Sequence, residues 1–289
     1  MSGEKKEKRR VFDLDGAFDK RVAEYLCKRK NKYTEEAWED AVAAFYKKFG
    51  DTRIDALDAT PNEYYRNMSA EELAAVVRAH FAEGVPADGF LRAALEEKKN
   101  RAVLLSLLEG TEDEALFAVE LLGADRSLYP RYLSLFERTD SAALQGRLAE
   151  MFAEDADGVA EELLAVRRRG GPRDAVADIL SRCAVPREEI FSLLLSDFQS
   201  AEGAEAEACA TRLGRYGDER ALPYIERKAA LSETGYLAWR AMRLAAEALG
   251  GRLPERDFSA DEEYVALARE EEKRLKQREE ALAAVGRRK

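Results

Sequence analysis

Histidine is almost missing: the 289 residues contain one, His80. A His-rich zinc site, a two-histidine iron site or a pair of Glu-x-x-His helices therefore cannot be assembled within one chain. Nothing in the sequence pairs His80 with a nucleophile, so it reads as an ordinary surface or half-buried side chain; acid/base work needs a positioned partner. Cysteine is scarce and odd in number: Cys27, Cys183 and Cys209 are widely separated, with no Cys-x-x-Cys spacing for a metal clip or redox pair. They read as core thiols in a reducing compartment, since a chain of this length needs no disulfide framework. Seven prolines and 18 glycines are few, which argues against a loop-rich β-sandwich and leaves room for long helices. No stretch approaches the roughly 20 apolar residues that a membrane span requires. Met1 to Arg10 is rich in charge and leads into no apolar run of secretory length. The expectation is a soluble, cytoplasmic protein with no membrane partner.

What is present suffices for a core: 46% of residues are hydrophobic and 36% charged, which excludes a disordered chain and suggests one long or two short domains. The net charge of -10 repels polyanions at long range, lowering the expectation of nucleic acid binding while leaving room for a local basic face.

Helical spacing runs the length of the chain. Phe18, Val22, Tyr25 and Leu26 share one face of a helix over Ala17 to Lys30. Thr34 can cap a second helix whose stripe is Trp38, Val42, Phe45, Tyr46 and Phe49, with Gly50 as its left-handed stop. Thr60-Pro61-Asn62-Glu63 and Ser69-Ala70-Glu71-Glu72 are successive capping boxes. Val85-Pro86 ends the second of these helices, and Phe90, Leu91, Ala94 and Leu95 mark the next. Beyond Asn100, Gly110, the box Thr111 to Glu114, Gly123, Asp140, Gly158, Gly170-Gly171, Pro186 and Gly203 confine each segment to one short helix. No run alternates β-branched residues, so a sheet has no source.

Three places share a small or branched apolar residue, two free positions and Leu-Gly: Val119 to Gly123, Ala210 to Gly214 and Ala246 to Gly250. Gly214 and Gly250 are 36 residues apart, and the first two pairs lead through Asp125-Arg126 or Asp218-Glu219-Arg220 to a leucine and a proline. Such a period marks stacked helical pairs that complete one another's core. Gly214 and Gly217 would let the chain leave its helix, Asp218 would cap the next, and Ala208, Ala210, Ala221, Ala245 and Ala246 would allow close helix approach. The stretch Ala210 to Ile225 resembles a HEAT-like repeat of the short bacterial type, most clearly over Ala204 to Gly251 and moderately over Glu114 to Asp140. The resemblance implies an all-α fold, an α-solenoid of HEAT-like hairpins with a concave binding surface. Such repeats serve phycobilin lyases, scaffolds and helical-repeat DNA glycosylases alike, so fold does not select function.

Three further features carry candidate chemistry. Val11-Phe12-Asp13-Leu14-Asp15-Gly16 resembles the first motif of haloacid-dehalogenase-like phosphotransferases, in which the first aspartate is the nucleophile and the second an acid/base beside magnesium. Ala17 stands where that family has Thr, a helix follows at once and no downstream Lys or acidic pair appears, so Asp13 or Asp15 reads as a helix cap. Arg167, Arg168, Arg169, Arg173, Arg182 and Arg187 concentrate positive charge, opposed within that span only by Asp174 and Asp178. They form either a solvated helix end that complements the dipole or a patch for acidic segments or phosphates. Adjacent glutamates such as Glu161-Glu162 point about 100° apart on a helix and are surface charge. Finally, Ser259 to Val285 reads as one long helix opened by the box Ser259-Ala260-Asp261-Glu262; its thin seam of Tyr264, Ala268, Leu275 and Leu282 is interrupted by Glu271 and Arg278.

The expected organisation is a helical amino-terminal cap over residues 1–100, HEAT-like hairpins over 101–256 and a long charged helix over 257–289. The expected function is a non-catalytic scaffold or adaptor that presents a groove to another protein or peptide segment. Arg167, Arg168, Arg169, Arg173, Tyr216, Tyr224 and Trp239 are the candidate binding residues, and neither a catalytic residue, a metal nor a cofactor is implied. Tyr236 clusters with them in the best-defined repeat. The alternative is a nucleic-acid-binding or DNA-processing protein that uses the Arg167 to Arg187 region; a lyase acting on a pigment is a third reading.

Overall fold

A computed structural model describes the backbone of residues 11–28 and 35–286. Met1 to Arg10, Thr34 and the side chains of Leu26, Cys27 and Leu282 lie outside the described residues. Among those described, the regular elements are all helical, and the β-structure is limited to an isolated antiparallel bridge between Ile54 and Ala59. The chain divides into two compact units: residues up to Pro130 together with Thr139–Arg147, and Arg131–Arg138 together with Leu148 onward.

The first unit holds α1 (Leu14–Lys28), α2 (Glu35–Gly50), α3 (Pro61–Arg66), α4 (Ala70–Ala82), α5 (Gly89–Lys98), α6 (Arg101–Leu108) and α7 (Glu112–Leu122). Asp13 does cap α1, accepting the Gly16 N–H at 2.8 Å. With no strand beside it among the described residues, the phosphotransferase loop has no support. Both successive capping boxes form as their spacing predicts, at Thr60 with Glu63 and at Ser69 with Glu72. The Thr111 box forms only in part: Thr111 accepts from the Glu114 N–H, while the Glu114 carboxylate faces Arg78 at 3.4 Å. Gly50 is a correction of a different kind. It is the last residue of α2 without a left-handed φ, and a Cβ there would stand 2.6 Å from the Phe90 ring and 2.8 Å from the Asn62 amide. Its role is close approach, which lets Phe90 stack on Tyr46 at 4.6 Å while Phe49 meets Phe18 at 5.5 Å.

His80 is also not the surface or half-buried side chain that its surroundings in the sequence suggest: it is 1% exposed. The 83–88 loop folds back over it, its Nδ1 lies 2.9 Å from the Pro86 carbonyl, and its Nε2 has no partner among the described residues. Asp88, also 1% exposed, ends the same loop. One of its oxygens accepts the Phe90 and Leu91 N–H groups at the start of α5, and the other accepts the Tyr65 hydroxyl at 2.7 Å. Burial pushes the Asp88 carboxyl above its ordinary range, and the Tyr65 hydroxyl only offsets this in part. A carboxyl raised in the folded state favours folding below its unfolded pKa, and that contribution is lost as pH rises through the folded value. Asp88→Asn keeps the cap oxygen and removes the titration. Its stability relative to the parent should therefore rise between pH 4 and pH 7 in urea unfolding; a constant difference across that window would refute the assignment.

The second unit holds most of α8 (Tyr129–Arg138) and α9 (Ala142–Glu154), then α10 (Ala160–Arg168), α11 (Arg173–Leu180), α12 (Glu188–Ser200), α13 (Gly203–Tyr216), α14 (Leu222–Ala229), α15 (Tyr236–Ala248) and α16 (Glu262–Gly286). The turn motif read from the sequence recurs in backbone form. Gly123 (φ 64°) and Gly217 (φ 78°) end α7 and α13, and Asp125 and Asp218 then accept the N–H two residues on, each opening a single 3-10 turn that runs into α8 or α14. Gly250 also has a positive φ of 80°, but an irregular segment rather than a 3-10 turn follows it.

Gly214, expected to help the chain turn, instead stays inside α13. A Cβ there would lie 2.8 Å from the Ala245 Cα, so α13 and α15 pack backbone against backbone and Gly217 alone makes the exit. The cap of α16 shifts in the same way, since the helix begins at Glu262 and its cap is Asp261, not Ser259. One Asp261 oxygen accepts the Tyr264 N–H and the other the Tyr236 N–H that opens α15, both at 3.0 Å. A side chain that closes two helix starts at once outcompetes a serine that closes one.

Candidate functional site

Two regions of the second unit concentrate the residues singled out in the sequence. In the first, Arg167 and Arg173 converge on Asp197 of α12. Arg167 Nη2 donates to both carboxylate oxygens, at 2.6 and 2.9 Å, and Arg173 Nη2 donates to Oδ1 at 2.5 Å. Asp197 is 6% exposed, so this is a nearly buried acid held by two guanidinium groups. The other two candidates point elsewhere: Arg168 bonds Glu189 at 2.9 and 2.5 Å, and Arg169 grips Glu137 as a fork, with both N–H···O distances 2.7 Å. The fork holds the Glu137 carboxyl below its ordinary range.

The pattern extends along the unit. Arg187 pairs with Glu161, Arg212 with Asp174 at 2.9 Å and Arg215 with Asp178 at 2.8 Å. Arg220 bonds Glu188 at 2.7 Å and lies 4.1 Å over the Phe191 ring. The partners lie 21 to 38 positions apart in the chain, so each bond joins stretches well separated in sequence. A count of acids within Arg167 to Arg187 finds two, and misses Glu137, Glu161, Glu189 and Asp197 because they lie outside that stretch of the chain.

Tyr216 and Trp239 take structural places. The Tyr216 hydroxyl accepts the Arg187 N–H at 2.7 Å and donates to the Arg187 carbonyl at 3.0 Å, tying the end of α13 to the start of α12. Trp239 is buried against Phe258 at 5.1 Å, with Arg243 over its ring at 5.5 Å. Tyr236 packs edge-on against Phe258 and Tyr264. Both free thiols in the described residues, Cys183 and Cys209, are buried, and burial pushes Cys183 up to about 11, which keeps it unreactive.

Tyr224 borders a cleft. The end of α12, the start of α13, α14, the 230–235 loop and the start of α15 enclose a cleft of about 500 Å³, within the ordinary size of ligand sites. Phe198, Ala206, Ala238 and Met242 form an apolar floor, with Tyr224 and Leu231 as walls and Glu202, Arg227 and Glu233 among the charged lining. Lys228 crosses one side, where its ammonium donates to the Phe198 carbonyl at 2.6 Å and to those of Gln199 and Ala201, closing the end of α12. Burial lowers the Lys228 pKa.

The cleft exists because small residues recur at the same step in two helices, Gly203 with Ala206 and Gly235 with Ala238. That spacing was the signal available in the sequence, where alanines in this region read only as close-packing residues. Chemically, the cleft offers an apolar seat for one or two side chains and a charged border. Among the described residues no group of three His, Cys, Asp or Glu side chains converges to hold a metal. No family model, no curated protein and no solved structure matches this chain.

Proposed function

We propose that this protein is a non-catalytic interaction module, an adaptor or scaffold whose α12–α15 cleft seats a segment of another polypeptide. The single observation that carries this reading is the cleft itself: an apolar floor with a border of mixed charge suits a side-chain anchor flanked by polar main chain. The hairpins of the second unit are read as HEAT-like repeats, stacked as a short α-solenoid. The support is local, namely the glycine-then-aspartate turn that recurs at Gly123 with Asp125 and at Gly217 with Asp218, and the polar contacts joining residues about one hairpin apart.

The nucleic acid reading draws less support. A phosphate-binding face needs guanidinium groups free to release counterions, and the arginines of the Arg167 to Arg187 region are each engaged with a carboxylate. Leu231 and Arg227 border the cleft and are exposed, so Leu231→Asp with Arg227→Glu alters its chemistry without entering the core. Affinity capture from an extract of the native cells should lose specific proteins with this variant, whereas Arg168→Glu should retain them. An unchanged set with the cleft variant would reject the cleft. Salt-sensitive retention of DNA or RNA by the parent, lost in Arg168→Glu, would favour the rival.

A further inference from the structure

The carboxy-terminal helix leaves a face without a partner. At its start Tyr264 closes against Tyr236 of α15 at 4.8 Å, but one turn later the stripe opens. Leu267 is 40% and Leu275 53% exposed, and together with Tyr236 and Arg240 they line an open groove of about 610 Å³. Between and beyond the two leucines stand Glu271 and Arg278 on the same face, since seven residues make two turns. Neither has an ion-pair partner among the described residues, in contrast to Glu270 and Arg274 or Glu272 and Lys276, which pair within the helix at 2.7 Å.

We propose that α16 is a self-association surface, on which the groove receives the α16 of a second copy of this chain in antiparallel orientation. The two charges that interrupt the apolar seam supply the argument. An antiparallel two-fold midway between positions 274 and 275 sets Glu271 of each copy level with Arg278 of the other, so both unpaired charges are neutralised at once. The same axis brings Leu275 onto its own counterpart, offset by about 1.5 Å along the helix. One two-fold thus satisfies the charges and Leu275 together, as an isologous interface requires. A parallel, in-register pair would instead place Glu271 against Glu271 and Arg278 against Arg278, which the same charges oppose. This inference does not depend on the occupant of the α12–α15 cleft.

Sedimentation equilibrium of the full chain tests it. The parent should dimerise reversibly, and Glu271→Arg, which sets arginine against arginine twice, should raise the dissociation constant about ten-fold or more. The double exchange Glu271→Arg with Arg278→Glu restores opposite signs across the two-fold and should recover the parent affinity. Positions 271 and 278 are exposed, and circular dichroism should report the same helix content in all three proteins. A parent that stays monomeric at 100 μM overturns the proposal, as does a dimer indifferent to Glu271→Arg or one that the double exchange does not rescue.

Discussion

Asp197→Ala should lower the unfolding free energy by about 3 kcal/mol, the size of effect seen when one member of a buried ion pair is removed. The substitution leaves Arg167, whose side chain is 16% exposed, facing a cavity with no acceptor. It also strips Arg173, but that guanidinium is half exposed and rehydrates. The cost therefore arises from a stranded charge more than from a lost attraction. Replacing both partners, Arg167→Met with Asp197→Leu, should recover most of the stability, because removing both charges also removes the desolvation penalty. Urea unfolding of the single and double variants decides the matter; a loss below about 1 kcal/mol in Asp197→Ala would place this contact with ordinary surface pairs.

Gly214→Ala should destabilise the protein although helix propensity predicts the reverse. In the interior of an exposed helix this exchange gains about 1 kcal/mol. At position 214 the new methyl would stand 2.8 Å from the Ala245 Cα and 2.9 Å from its Cβ, neither of which can swing aside as a long side chain would. Separating α13 from α15 disturbs well-packed neighbours, and overpacking of this kind costs about 1–3 kcal/mol, so the net sign is a loss. Gly146 in α9 is the internal control, since nothing lies within 4 Å of its added Cβ. Gly146→Ala should therefore stabilise by about 1 kcal/mol. Opposite shifts in melting temperature for two identical substitutions are the expected outcome, and the same sign for both would undo the packing argument.

The elements of the fold were largely legible in the sequence, because helix starts and stops are local. Thr60 and Ser69 with their glutamates three residues on, and Gly123 and Gly217 past the last apolar position, act through bonds spanning only a few residues. Apart from His80, which a loop a few residues on covers, the failures were long-range. Gly50 and Gly214 look like stops because glycine ends helices, yet here each makes room for a side chain or backbone 40 and 31 positions away. Asp261 displaced Ser259 as a cap through a bond to Tyr236. The cleft escaped notice for the same reason: its floor joins Phe198, Ala206, Ala238 and Met242 from three helices, and no local pattern marks residues by the empty space they leave. Tyr224 stands out in the sequence only because it lies in the stretch that most resembles a repeat.

The pairing of arginine with carboxylate across long stretches of chain has a consequence for heredity. Arg169 and Glu137, or Arg220 and Glu188, are couples whose members stand 32 codons apart. A lineage that loses one inherits an unmatched charge until the other also changes. Across descendants of this gene, such positions should change in pairs, leaving a correlated trace between positions far apart in the chain.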